Sequence, residues 1–277
     1  MSDALAAAIA AIDRADPAIL VEVTDALGST PREAGTLMLV TETAIAGTIG
    51  GGELEWRAIE RAREALAGEP VPERLQLPLG PALQQCCGGH VTLSLQRLAP
   101  SDRDELSRRL REWRAQLPRI VLFGAGHVGQ ALVRALTPLP CRVCWLDSRQ
   151  DLFPAGLDAT IEAETIADPA GVTTDPSDLV LVMTHSHALD LAIVEARLRA
   201  MDFAWLGLIG SATKRRRFEG QLKAGGIPAE RLERLVCPIG LASIRGKEPA
   251  VIAASVTAQL LTVIEALRMG KALQDVA

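Results

Sequence analysis

The chain contains no tyrosine, and aromatic residues make up only 3% of its 277 residues. An enzyme that reduces carbonyls with a Tyr-Lys pair is thereby excluded, and hydride transfer here would need another acid. No run approaches the ~18 uninterrupted apolar residues needed to span a bilayer. The apolar, alanine-rich start over residues 1–12 has no basic lead and carries Asp3, the mark of an amphipathic helix rather than a signal peptide. A cytoplasmic location without a membrane partner is expected. Five cysteines, an odd number in a chain without an export signal, then read as thiols in a reducing compartment. Positive charge is also in short supply: the net charge is −5, and the one basic run, Lys214 to Arg217, is too short for a nucleic-acid footprint.

What is present is the balance of a globular protein, 48% hydrophobic and 23% charged, at a length that predicts two domains. The stretch that organises the chain is 119–129, Arg-Ile-Val-Leu-Phe-Gly-Ala-Gly-His-Val-Gly. A β-branched run ends in glycines and turns directly into the amphipathic segment Gln130 to Leu136, so strand, tight turn and helix are predicted. Gly124 allows the turn, Gly126 leaves no side chain between backbone and ligand, and Gly129 lets the helix sit close on its strand. A second strand, Cys141 to Leu146, leads to Asp147, about 20 residues past the first glycine, where a carboxylate can accept from a dinucleotide ribose. Arg149 could instead meet a phosphate.

Further strands are predicted at Asp178 to Met183 and Trp205 to Ile209, with the helix Leu189 to Met201 as the crossover of a parallel sheet. Ligands of such sheets bind at the carboxyl ends of the strands. That edge gathers Gly124 to Gly129, Thr184-His185-Ser186-His187 with Asp190, and Gly210-Ser211 with Lys214. His185 and His187 have no evident closing metal ligand and are expected to hydrogen-bond a phosphate or heterocycle. Cys141 and Cys144, three apart on a strand, face opposite ways and are not expected to share a metal. A last apolar helix follows Pro249, with Ile252, Val256, Leu260 and Val263 in a stripe that core packing explains first and a dimer seam second.

The first half reads differently. A helix is followed by the strand Ala18 to Asp25, a polar loop Gly28 to Arg32, and a hairpin of Gly35 to Val40 with Ala44 to Ile49. Gly50-Gly51-Gly52-Glu53 then opens a helix over Leu54 to Ala67, either an anion-binding nest or a tight corner. Beyond a short strand at Leu75 to Leu77 comes Cys86-Cys87-Gly88-Gly89-His90 before the strand Val91 to Arg97. Adjacent cysteines bridge each other poorly, so at least one thiol should be free, as a soft donor or as a core residue. The expected fold is α/β: a mixed α/β domain over 1–99, a polar linker helix over 100–117, and a Rossmann-like parallel-sheet domain over 118–277.

Taken together, Gly28 to Arg32 with Gly35 to Val40, Gly47 to Gly52 with Glu55, Cys86 to Gly89, Gly124 to Gly129 with Asp147 and Arg149, Thr184 to His187 with Asp190, Gly207 to Ser211 with Lys214, and Pro238 to Leu241 resemble the XdhC/CoxI family. Members are accessory proteins of xanthine dehydrogenase and related molybdenum hydroxylases, and the match covers nearly the whole chain. The resemblance implies a carrier that binds the molybdenum cofactor (molybdopterin), protects it while a cysteine desulfurase replaces an oxo ligand by sulfur, and delivers it to the apo-hydroxylase. The residues that fit this role as cofactor-binding groups are Gly50, Gly51, Gly52, Cys86, Cys87, Gly124, Gly126, Gly129, Asp147, His185, His187, Ser211 and Lys214; Cys87, followed directly by two glycines, is the expected molybdenum contact, and a homodimer is the expected assembly. The chain departs from the family pattern at Ala242 to Gly246, which lacks an acid. The competing class is an NAD-dependent oxidoreductase that uses Asp147 for the ribose, a reading that leaves the first half unexplained.

Overall fold

The structure is a computed structural model and describes residues 2–72, 74–78 and 89–271. The chain divides into two compact units, Met1–Gln116 and Leu117–Ala277.

The first unit contains α1 (Ser2–Asp13), β1 (Ala18–Leu27), β2 (Leu37–Thr41), β3 (Ile45–Gly47), α2 (Gly52–Leu66), β4 (Leu75–Pro78), β5 (His90–Arg97) and α3 (Arg103–Ala115). Its strands pair antiparallel in the order β3-β2-β1-β5-β4. Side chains alternate along β1, so Ile19, Val21 and Val23 face one way and Ala18 and Leu20 the other. The first set packs on Leu54, Ala58, Ala62 and Ala65 of α2, whose small residues let the helix approach the sheet. The second packs on Ala4, Leu5, Ala8 and Ala11 of α1 and on Leu106 and Leu110 of α3. The polar helix that reads as a linker therefore has a buried apolar stripe and is part of the first unit's core.

The second unit contains β6 (Arg119–Phe123), α4 (His127–Leu136), β7 (Arg142–Asp147), β8 (Ile161–Thr165), β9 (Leu179–Val182), α5 (His187–Ala200), β10 (Trp205–Leu208), α6 (Ala212–Ala224), α7 (Ala229–Leu232), β11 (Leu235–Val236) and α8 (Pro249–Arg268). Among the described residues its six strands are all parallel, in the order β11-β10-β9-β6-β7-β8. The chain runs outward from β6 through β7 to β8 and then returns to build β9, β10 and β11 on the other side. The reversal leaves a crevice at the carboxyl ends of β6 and β9, where doubly wound sheets take their ligands. Continuous apolar runs such as Ile120 to Phe123 and Leu179 to Val182 are buried on both faces, as a helix-covered parallel sheet requires. One face lies under α4 and α8. The other lies under α5 and α6.

Two strands are absent from the sequence reading. β8 carries Glu162 and Glu164 outward, which hides its pattern and also protects a sheet edge, and β11 is only two residues long. The final helix, α8, has the length and hydropathy of a membrane span, with a mean hydropathy of 1.8. Its Val256, Leu260 and Val263 are nonetheless buried in the core beside α4, which accounts for the apolar stripe.

Candidate functional site

The glycine turn after β6 is held from two sides. Gly124 adopts φ +123°, and a Cβ there would lie 2.2 Å from the Met183 carbonyl oxygen at the end of β9. At Gly129 a Cβ would lie 2.1 Å from the Gly124 oxygen, so the close helix-strand approach read from the sequence is present. Gly126 differs: its backbone is extended, and a Cβ would meet nothing within 4 Å. That open space stands over the start of α4, whose first turn has no side-chain cap. The neighbouring helices are capped, α5 by Ser186 on the Leu189 amide and α6 by Ser211 on the Lys214 amide. The first-turn amides of α4 are thus left for a ligand anion, favoured further by the helix dipole.

Asp147 sits where the spacing puts it, but its carboxylate faces inward. Oδ2 accepts the Ala125 amide at 2.6 Å and Arg149 Nη2 at 2.9 Å. Oδ1 accepts the Arg149 amide at 2.9 Å and Arg149 Nε at 3.0 Å. Burial alone would raise the pKa of this carboxyl; the Arg149 guanidinium and the two amides outweigh it and bring it down to about 2. With four donors on two oxygens the acid is fully engaged, so its expected hydrogen bond to a ribose is not available in this arrangement. Trp145 of β7 completes the clamp, donating from Nε1 to the Gly124 carbonyl at 3.0 Å.

Beside the turn, the ends of β9 and β10 form a cavity of about 300 Å³ lined by Thr184, His185, His187, Asp190, Gly210, Ser211 and Lys214. Its floor is an ion pair. Lys214 Nζ donates to Asp190 Oδ2 at 2.6 Å and to the Ile209 carbonyl at 2.9 Å, while Asp190 Oδ1 accepts the Thr184 amide at 2.9 Å and hydroxyl at 2.7 Å. The side chains of Lys214 and Asp190 are only 10% and 1% exposed. Lys214, a cofactor-binding candidate in the sequence, thus neutralises a buried acid and ties together the segments that follow β9 and β10. Removing it would leave Asp190 uncompensated, a loss of about 3–5 kcal/mol. His185 and His187 are exposed on the cavity wall. Among the described residues no group of three or more His, Cys, Asp or Glu is placed to hold a metal ion.

A thiol that the sequence reading gave no role belongs to this edge. Cys237 follows β11, and a Cβ on Gly210 would lie 3.2 Å from its Sγ and 2.8 Å from the Lys214 side chain. Burial pushes the Cys237 thiol up, against the pull of Lys214 and Arg215. Its signal was the Cys-Pro pair after a strand too short to recognise. Cys141 and Cys144 are free and pack on opposite faces of the sheet, as their spacing requires.

The remaining candidates belong to the first unit. Gly50, Gly51 and Gly52 all have positive φ and expose backbone amides, but the nest they form is filled from within. Glu55 Oε2, in the first turn of α2, accepts the Ile49 amide at 3.0 Å, the Gly51 amide at 3.2 Å and the Thr48 hydroxyl. The Gly28 to Arg32 loop closes over this corner: a Cβ on Gly50 would lie 2.6 Å from Pro31, and one on Gly89 would lie 2.5 Å from the Ser29 oxygen. Cys86 and Cys87 lie outside the described residues.

Fold and edge together define a Rossmann-type domain with an uncapped helix start at Gly126, preceded in the chain by an antiparallel α/β domain. Residues 120–260 match the XdhC Rossmann domain and residues 11–76 the XdhC and CoxI family. The chain belongs to the XdhC family. It is 30% identical over 260 residues to the Uncharacterized protein YqeB of Escherichia coli (strain K12), a match covering 89% of this chain and 43% of that protein. The chain thus spans less than half the length of this relative. Its fold is also that of the crystal structure of a xanthine dehydrogenase from Bacillus halodurans, with a TM-score of 0.73 and 20% identity over 94% of this chain and 96% of the other.

Proposed function

We propose that this protein carries the molybdenum cofactor, shields it while a cysteine desulfurase exchanges an oxo ligand for sulfur, and delivers it to apo xanthine dehydrogenase or a related molybdenum hydroxylase. Family membership supports an accessory role, and the description of the Bacillus halodurans protein as a xanthine dehydrogenase names the enzyme class concerned. The observation that carries the reading is the pairing of an uncapped α4 start, open above Gly126, with a polar cavity at the next strand ends. The phosphate of molybdopterin suits the first, and the hydrogen-bonding edge of its pterin suits the second, where His185, His187 and Ser211 are exposed. Cys87, with Cys86, remains the soft donor assigned to molybdenum in this reading. The reading also includes a cytoplasmic homodimer, which light scattering would test.

An NAD-dependent oxidoreductase is the weaker reading, because the acid it would use for the ribose is engaged by Ala125 and Arg149. The deciding experiment incubates the full chain with molybdenum cofactor released from a hydroxylase, then measures retained pterin and molybdenum and the activation of apo xanthine dehydrogenase. Near-stoichiometric retention with faster activation is expected. Retention of NAD in place of pterin, with no effect on the apo-enzyme, would sink the proposal.

A further inference from the structure

The inward-facing Asp147 has a consequence for ligand choice. A bare carboxylate at this strand end attracts a ribose diol and repels a phosphate. Here Arg149 neutralises it, and a diol could reach Asp147 only by displacing the guanidinium from a residue that is 4% exposed. The arginine itself faces outward, its side chain 39% exposed. A guanidinium has five N–H donors, and the bonds to Asp147 engage one on Nε and one on Nη2, which leaves both Nη1 donors and the second of Nη2. Asp147 Oδ2 is 2.9 Å from Arg149 Nη2 and 2.6 Å from the Ala125 amide. The guanidinium and the Ala125 amide thus meet on one carboxylate oxygen, which places Arg149 beside the glycine turn that begins the uncapped α4 and next to the residue, Gly126, whose Cβ position is vacant.

We infer that Arg149 is the specificity-determining residue of this edge and selects a phosphomonoester over an unphosphorylated diol. Asp147 is its positioning partner: it orients the guanidinium and pins the Ala125 amide, so the opening is formed before a ligand arrives. The identity of the ligand as a pterin rests on the carrier reading, whereas the preference for a phosphomonoester does not.

Two matched pairs of probes separate these claims. The first is an alkyl-phosphate pterin and its phosphatase-treated product, followed by pterin fluorescence. The second is NADP and NAD, which differ by one phosphomonoester, followed by calorimetry. The full-length parent should prefer the phosphorylated member by about tenfold or more, the worth of one charge-assisted contact, and Arg149→Ala should erase the preference. Arg149→Lys should restore only part of it, since an ammonium cannot make the fork to Asp147 and still face outward. If Arg149→Ala lowers the melting temperature, the double variant Asp147→Asn/Arg149→Ala, which leaves no buried charge unpaired, takes its place. An Arg149-dependent preference seen only in the nucleotide pair would keep this inference and discard the pterin. If neither pair shows an Arg149-dependent preference, the inference is overturned, and the carrier reading is still judged by cofactor retention.

Discussion

Both units contain a glycine turn that leads from a strand into a helix, and the two turns have opposite fates. In the first unit Glu55 lies on the helix that the turn opens, so the acid folds back and fills the amide nest itself. In the second unit the acid, Asp147, comes from the neighbouring strand and, of the turn's amides, takes that of Ala125 alone, and the first turn of α4 beyond it is left uncapped. A glycine-rich turn is thus a potential anion site whose availability depends on where the nearest carboxylate is anchored. An acid within the same helix closes the nest; an acid one strand away shapes it and leaves it open.

Substitutions can break or sharpen that contrast. The largest effect is expected at Asp147→Ala, which strands a guanidinium and a buried amide; unfolding in denaturant should show a loss of about 3 kcal/mol. The same group gives the parent an acid dependence. Its folded pKa of about 2 lies below the ordinary carboxylate value, so its stabilisation is complete above about pH 4 and lost as the pH falls towards 2. About 2 kcal/mol of stability should disappear over that window in the parent and be missing from the variant's pH profile. A parent whose stability stays flat there would show that the Asp147 lock is weak.

Next in size is Glu55→Ala, expected to cost about 1–2 kcal/mol because the nest it leaves is partly open to water. Amide exchange should accelerate at Ile49 and Gly51 and stay unchanged at Ala125. If the first unit's turn then begins to retain phosphate, the contrast between the two loops comes down to this one side chain. The smallest stability effect belongs to Gly126→Ala, about 0.5 kcal/mol or less, since the backbone is extended and the added methyl meets nothing. Binding should fall much further, because the methyl projects into the opening. Equal ligand affinity in parent and variant would mean that the α4 start is not the anion site.

The glycine fingerprint, the strands flanking it and the apolar stripe of α8 were legible in the sequence because each is a local pattern of residue types. β8 was not, since an edge strand bearing Glu162 and Glu164 looks like a loop. The ion pairs of Asp147 and Lys214 were not legible for a different reason. A charged side chain shows its type in the sequence but not whether its charge is already matched, and Arg149 and Asp190 match these two. The placement of Cys237 beside Lys214 depends on β11 joining the sheet through two residues, below the length at which periodicity can be read.

The bond from Trp145 to the Gly124 carbonyl gives the molecule an optical probe of its own opening. That indole is fully buried, stands edge-on to Phe153 with ring centroids 5.0 Å apart, and is hydrogen-bonded to the peptide group that begins the glycine turn. An anion settling on α4 changes the electric field along that peptide, and the indole responds through the shared hydrogen bond by a shift in its emission. Because the chain has no tyrosine, excitation at wavelengths beyond phenylalanine absorption reaches tryptophan alone among its side chains. The signal from the turn is then mixed only with those of Trp56, Trp113 and Trp205, each replaceable by phenylalanine to leave a single emitter.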